Sequence, residues 1–195
     1  ILIAILLLVI TPIIESLFRI MTNMALMEFI DPTHPLLQRL SLEAPGTYQH
    51  SLSIGHIAEY AANAIGANGM LCRVTTLYHD IGKLNGINSK YVPGYTKKGT
   101  LLGHVVIGRD MVKSAIKRNK KFPEELSVKI EHIILSHRGQ YEWKSPKLPA
   151  FPEALLVHMI DMLDSRMNLM DITLDEDVEP GDFTNQFNSF GIPLF

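Results

Sequence analysis

Between residues 45 and 170, apolar positions recur at three- and four-residue intervals and are broken by short polar or glycine-bearing stretches. That is the pattern of packed amphipathic helices. His34 to Leu42 puts Leu36, Leu37 and Leu40 on one helical face. After Ala44-Pro45-Gly46-Thr47, whose proline has its φ preset for a first helical position, His50 to Ile65 repeats apolar residues at Ile54, Ile57, Ala58, Ala61 and Ile65. Gly66 ends that helix. Leu71 to Ile81 reads as a helix stopped by Gly82, and further helices fit Leu101 to Lys117, Glu124 to His137 and Pro152 to Met170. Asn85 to Gly99 is rich in Gly, Asn, Pro, Tyr and Lys and has no sustained period, so it reads as a loop. Gln140 to Pro149 reads as a surface loop. Without strand alternation, an internal repeat or a glycine-rich phosphate loop, the pattern predicts an all-α helical bundle.

The ends of the chain differ from this middle. Ile1 to Ile14 carries no charge before Glu15. As a helix it reaches only about 21 Å, short of the ~30 Å hydrocarbon core of a bilayer. It reads as the remaining half of a membrane helix, with a buried core helix as the competing reading, and Pro12 kinks or ends it. Residues 1–30 are therefore expected to be a membrane or membrane-proximal helix and connector, and residues 31–174 the helical domain. Residues 175–195 form an acidic tail broken by Pro180 and Gly181 and are expected to be irregular.

Composition narrows the chemistry. Eighteen lysines and arginines stand against 20 aspartates and glutamates, so no strong positive field draws nucleic acid to the surface. No stable DNA partner is expected, while short RNA remains open. The single cysteine, Cys72, excludes an internal disulfide and every zinc site built from several thiolates. Eight histidines make imidazole and carboxylate the natural metal ligands, a donor set suited to manganese, iron, zinc or magnesium-like chemistry, with Mn²⁺ or Fe²⁺ the expected ions.

The most informative pair is His79-Asp80 in LYHDIGK, two adjacent ionisable groups on the last turn of an apolar helix. Burial of such groups needs compensation, and one divalent cation compensates both. His50 and Asp161, the latter set among Met159, Ile160, Met162 and Leu163, are the other positions able to converge on that ion. A bound divalent ion lowers the pKa of its water to roughly 7 and stabilises charge on phosphorus, which outlines a phosphohydrolase. Asp80 and Lys83 are the catalytic candidates, with Lys83 either gripping a phosphate oxygen or serving as a solvated helix end. His104 and His137 each lie at a helix end where they can face a cleft. His34, His56 and His132 read as structural, and His158 as support for the ligands.

With His50 upstream and Asp161 downstream of HDIGK, the chain resembles the HD superfamily of metal-dependent phosphohydrolases, whose motif runs His, His-Asp, Asp. The resemblance covers about His50 to Met170. HPLLQRLSLEAPGTYQHSL and AEYAANAIGAN resemble the seven-transmembrane HD receptors of the PgpH type, which implies hydrolysis of cyclic di-AMP to pApA at the cytoplasmic face of a bacterial membrane. GTLLGHVVIG, HIILSHRGQYEWKSPKLPAFPEALLVHMIDMLDSRMN and EPGDFT are more similar to the YhaM-type HD exoribonucleases, which implies RNA cleaved from its 3′ end. Either resemblance implies a nucleotide phosphodiester substrate and one or two divalent ions. It also implies a first ion on His50, His79, Asp80 and Asp161, and a second on Asp80, His104, His137 and one more histidine. Two positions depart from the pattern. His137-Arg138 stands where the family has consecutive histidines, and Gln49 where the membrane branch has histidine. Arg138 removes a ligand of the second ion and offers a cation that can hold a phosphate, so a catalytically impaired signalling module is a third reading.

Overall fold

The computed structural model of the chain describes residues 10, 26–88, 94–120, 122–178 and 180–195. Most of the expected membrane-proximal segment, residues 1–30, therefore lies outside the described residues. No helix among them is long and apolar enough to cross a membrane.

A 3₁₀ turn at Glu28–Ile30 leads into α1 (Pro35–Glu43) and α2 (Pro45–Ala64). Proline opens both helices, where a missing N–H costs nothing, and the His34 side chain accepts from Leu36 N at the start of α1. Leu37 and Leu40 are the buried face of α1, and full burial of each stabilises its docking by about 1.5–3 kcal/mol. In α2 the inward face is Ser51, Ile54, Gly55, Ala58 and Ala62. Ile57 and Ile65, expected on that face, are exposed, because small residues set the crossing of α2 with α3 and move the stripe by one position. Gly66, at φ +74°, closes the helix as expected.

Helix α3 (Gly69–Tyr78) is capped by Asn68, whose Oδ1 accepts from Leu71 N at 2.9 Å, a contact worth about 1 kcal/mol. Eight of its ten residues are buried. It therefore runs through the centre of the core and delivers His79 and Asp80 at its end. The described residues of the expected loop, 85–88 and 94–99, carry short regular elements. A helical turn α4 (Lys83–Gly86) leads to two short antiparallel strands, β1 (Ile87–Asn88) and β2 (Gly94–Tyr95), with Ile87 opposite Tyr95. Two-residue strands are too short to show alternation, which is why the pattern missed them.

Helix α5 (Lys97–Ile116) starts four residues before the expected Leu101, capped by Thr96 Oγ1 accepting from Gly99 N at 2.9 Å. It is broken at Gly103, where φ +73° and ψ 151° are open to glycine. His104 thus begins the main, buried part of the helix, as expected. Helix α6 (Glu124–Ser136) ends at His137, a 3₁₀ turn follows at Tyr141–Trp143, and α7 (Pro152–Asp175) runs five residues past the expected Met170. Helices α1, α3 and α7 pack on α2, while α6 packs on α3, α5 and α7. The ladder apart, the described chain is helical. Its acidic tail carries no regular element, and it closes on itself through Thr184 N donating to Leu194 O at 2.9 Å.

Candidate metal centre

Two helix ends, the break in a third helix and the flanks of two more converge below a cleft. His79 and Asp80 come from the end of α3, His104 from the break in α5, His137 from the end of α6, His50 from α2 and Asp161 from the middle of α7. His79, Asp80, His104 and His137 are all buried. The His79 and His137 ring centroids are 5.0 Å apart, His50 and His79 5.5 Å, and His104 and His137 6.0 Å. Three sets offer ligand atoms within 4.8 Å of one another: His50, His79 and Asp80; His79, His137 and Asp161; and Asp80, His104 and His137. The structure thus brings together all six residues singled out from the sequence as ligands.

The hydrogen bonds explain how the rings are held. His79 Nδ1 lies 2.6 Å from Thr76 O, and His137 Nδ1 lies 2.7 Å from Ile134 O, each three residues back along its own helix. A ring nitrogen facing a carbonyl is the N–H donor, so in both neutral rings the lone pair is left on Nε2, directed into the cluster. His50 Nδ1 stands 2.7 Å from Asp164 Oδ2, and its Nε2 is 3.1 Å from Asp161 Oδ1. Imidazoles fixed through one nitrogen by a carbonyl or carboxylate, with the other nitrogen turned to a shared point, are the usual arrangement around a metal ion. His79 Nε2 adds a direct test of fit. It is buried without a hydrogen-bond partner, 3.4 Å from Asp80 Oδ2 and 3.6 Å from Asp161 Oδ1. Such an atom is costly unless something binds it, and the surrounding nitrogen and oxygen donors suit a divalent ion.

Electrostatics point the same way. Burial opposes charge on His79, but the carboxylates of Asp80 and Asp161 outweigh it and raise its pKa to about 10. Burial likewise opposes charge on Asp80 and Asp161, yet the neighbouring imidazoles hold both carboxyls well below the usual range. Burial and the neighbouring His79 push His137 down to about 4. A proton on His79 thus supplies positive charge that the Asp80 and Asp161 carboxylates require, the same charge a cation supplies. Cys72 takes no part, since burial drives its thiol up to about 12.

Lys83 is not a free helix end. Its Nζ lies 2.5 Å from Asp80 Oδ2 while the side chain keeps 29% exposure, so it bridges the cluster and the solvent. Arg138 extends over the other side, with Nη2 3.5 Å from His104 Nε2, the outer limit of a hydrogen bond. His158 supports the cluster, its Nδ1 2.8 Å from His137 O. His34 caps α1, His132 Nε2 accepts from Ala150 N at 3.1 Å, and His56 is exposed.

A cleft of about 310 Å³ opens onto His50, Asp80, His137 and Asp161 and is also lined by Lys83, Arg138, Trp143 and Arg166. A neighbouring cavity of about 570 Å³ shares His50, Lys83 and Ser165 with it. Another of about 630 Å³ shares Arg138 and Trp143. The three cavities thus adjoin one another through shared wall residues around the cluster. Two contributors were missed in the sequence. Asp164 lies three residues after Asp161 and so on the same face of α7, a spacing that identifies it once Asp161 is taken seriously. Trp143 carried no signal beyond its presence in a polar loop.

The HD domain family matches residues 47–169, and the chain belongs to that family. It is 35% identical over 156 residues to the 3′-5′ exoribonuclease YhaM of Geobacillus sp. (strain WCH70), covering 77% of this chain and 48% of that protein. It is 29% identical over 189 residues to the cyclic-di-AMP phosphodiesterase PgpH of Bacillus subtilis (strain 168), covering 82% of this chain and 26% of that protein. The chain therefore spans about half the length of the first relative and about a quarter of the second. Among solved structures it is similar to the HD domain of the L. monocytogenes phosphodiesterase PgpH, at 26% identity and a TM-score of 0.40, covering 76% of this chain and 77% of that one.

Proposed function

We propose that the chain is a metal-dependent phosphodiesterase that cleaves cyclic di-AMP to pApA. The observation that carries the hydrolase reading is the buried, unpartnered Nε2 of His79, facing two carboxylates whose charge it alone does not balance. His50, His79, Asp80 and Asp161 are assigned to a first divalent ion, Mn²⁺ or Fe²⁺, and Asp80, His104 and His137 to a second position beside it. When bound, such an ion acidifies water and neutralises charge developing on phosphoryl oxygens. The protein does the rest. Thr76, Ile134 and Asp164 fix the tautomers, and the ion pair with Asp80 holds the Lys83 ammonium at the cleft floor. Lys83 and Arg138 then meet the non-bridging oxygens of the diester as point charge and fork.

Cyclic di-AMP is supported by the match to PgpH, which extends over 82% of this chain. The higher identity to YhaM and the cavities adjoining the central cleft favour a second reading, a 3′-to-5′ exoribonuclease acting on short RNA. The two separate in one experiment. Purified protein with Mn²⁺ is given cyclic di-AMP or a short 5′-labelled RNA, and products are resolved by chromatography and gel. Release of pApA supports the first reading. A ladder shortened from the 3′ end with cyclic di-AMP intact replaces it by the second, and no cleavage of either supports the impaired module.

A further inference from the structure

Trp143 is the chain's one tryptophan, and its surroundings are unusual for a loop residue. It retains 37% exposure, yet the turn that presents it is fixed at several points. Lys144 takes a left-handed conformation at φ +63°, the one non-glycine residue among those described to do so. That conformation is strained for a side-chain-bearing residue and persists only where the surroundings hold it. Here Lys144 N donates to Tyr141 O at 2.8 Å, and Trp143 N donates to Gln140 O at 3.2 Å. The next residue, Ser145, is buried, and its hydroxyl contacts Leu135 O at 3.2 Å and Lys147 O at 2.7 Å. The indole leans on the His158 ring, with centroids 6.0 Å apart and planes tilted by 46°, and His158 in turn supports the His137 carbonyl. The turn that presents this aromatic plane is therefore fixed, two residues' contacts away from the candidate metal centre, and the plane itself is not buried as core.

Trp143 and Arg138 are shared by the central cavity and its larger neighbour, whose volumes of about 310 and 630 Å³ fall in the range of small-ligand sites. The guanidinium of Arg138 lies between the cluster and that outer cavity, with Nη2 3.5 Å from His104 Nε2. An exposed aromatic face next to a cation, adjoining a site for phosphate chemistry, matches what nucleotides offer: a flat base joined through a sugar to an anion. Building on the phosphodiesterase reading, we propose that Trp143 is a nucleobase platform. It stacks the base next to the scissile linkage while Arg138 pairs with that nucleotide's phosphate. Discrimination then falls on whether a base is present, because every base has a stacking face.

The lone tryptophan makes occupancy directly visible. Purified protein with Mg²⁺ is titrated with AMP, which has no diester to cleave, and with ribose 5-phosphate, which lacks a base. AMP is expected to quench the Trp143 emission saturably, and ribose 5-phosphate to leave it unchanged. No response to AMP, or an equal response to both, overturns the platform. In kinetics with cyclic di-AMP, or with oligoadenylate if that is the diester cleaved, Trp143→Ala is expected to raise KM roughly 10- to 100-fold with kcat within about twofold, the loss of one stacked base. Trp143→Phe, which keeps a plane, is expected to stay within about threefold of the parent KM. A drop in kcat at unchanged KM in both variants contradicts the proposal. Quenching by AMP in a protein that cleaves no diester would refute the hydrolase reading and leave the platform standing.

Discussion

Gly139 links the metal cluster to the turn that follows it, and its replacement by alanine has a size that can be worked out in advance. Its φ is +73°, and a Cβ built there falls 2.1 Å from Cε1 of His158, 2.2 Å from Nε2 and 2.4 Å from Nδ1. No real Cβ approaches a ring so closely, and the imidazole is anchored to His137 O at 2.8 Å and buried. Two costs add. The left-handed backbone costs alanine about 1 kcal/mol, and forcing a buried ring aside costs about 1–3 kcal/mol. The total of about 2–4 kcal/mol corresponds to a fall in Tm of roughly 4–16 °C for a chain of this size. Gly66 supplies the control, for its φ is +74° but a Cβ there meets nothing within 4 Å. Gly66→Ala is therefore expected to cost only the backbone share, about 2–4 °C. Differential scanning calorimetry of both variants after chelation isolates the overlap with His158 from backbone strain. Equal shifts for Gly66→Ala and Gly139→Ala would show that His158 is not wedged where the structure has it.

Three further outcomes follow from the cluster. Asp164→Ala removes the carboxylate that orients His50 through Nδ1 and should weaken Mn²⁺ binding about 10- to 100-fold by isothermal calorimetry, with little change in the chelated fold; unchanged affinity refutes the orienting role. Arg138→His replaces an always-charged guanidinium beside His104 with an imidazole, and bound manganese measured by elemental analysis should rise from about one to about two ions per chain; equal stoichiometry means that Arg138 does not limit the second position. In the chelated protein the raised pKa of His79 contributes stability that is complete below 6.5 and lost as pH climbs toward about 10, whereas the depressed pKa of His137 contributes above 6.5 and is lost as pH falls toward about 4. Thermal stability of the chelated protein should therefore peak near pH 6.5, and Mn²⁺, which displaces the His79 proton, should remove the alkaline decline; parallel profiles with and without the ion contradict this.

What could be read from the chain beforehand divides along physical lines. Helices with a buried face on a helical period announced themselves, so the elements carrying His50, His79, His104, His137 and Asp161 were visible. Adjacency of His79 and Asp80 at the end of an apolar helix marked the chemistry, because burying two ionisable neighbours demands a partner. Contacts made by backbone carbonyls left no trace, since Thr76 and Ile134 act through groups every residue has. The inward face of α2 departs from the hydropathy pattern at Ile57 and Ile65, where close packing on small residues outweighs hydropathy. Composition does not decide between the two roles of Lys83, because its ion pair with Asp80 depends on the turn after α3. Trp143 lay hidden in a polar loop because its position is set by the left-handed Lys144 and the buried Ser145.

The close passage of α4 against α5 constrains how such a site can change. A Cβ at Gly82 would sit 1.9 Å from His104 O, against backbone that has no rotamer to change. Position 82 therefore admits hydrogen alone, and the 3.3 Å between His104 Nε2 and Asp80 Oδ1 is tied to a contact between main chains. Substitutions that leave this packing intact are therefore confined to the walls of the cleft, at Arg138, Trp143 and Arg166, while the floor beneath them keeps its main-chain spacing.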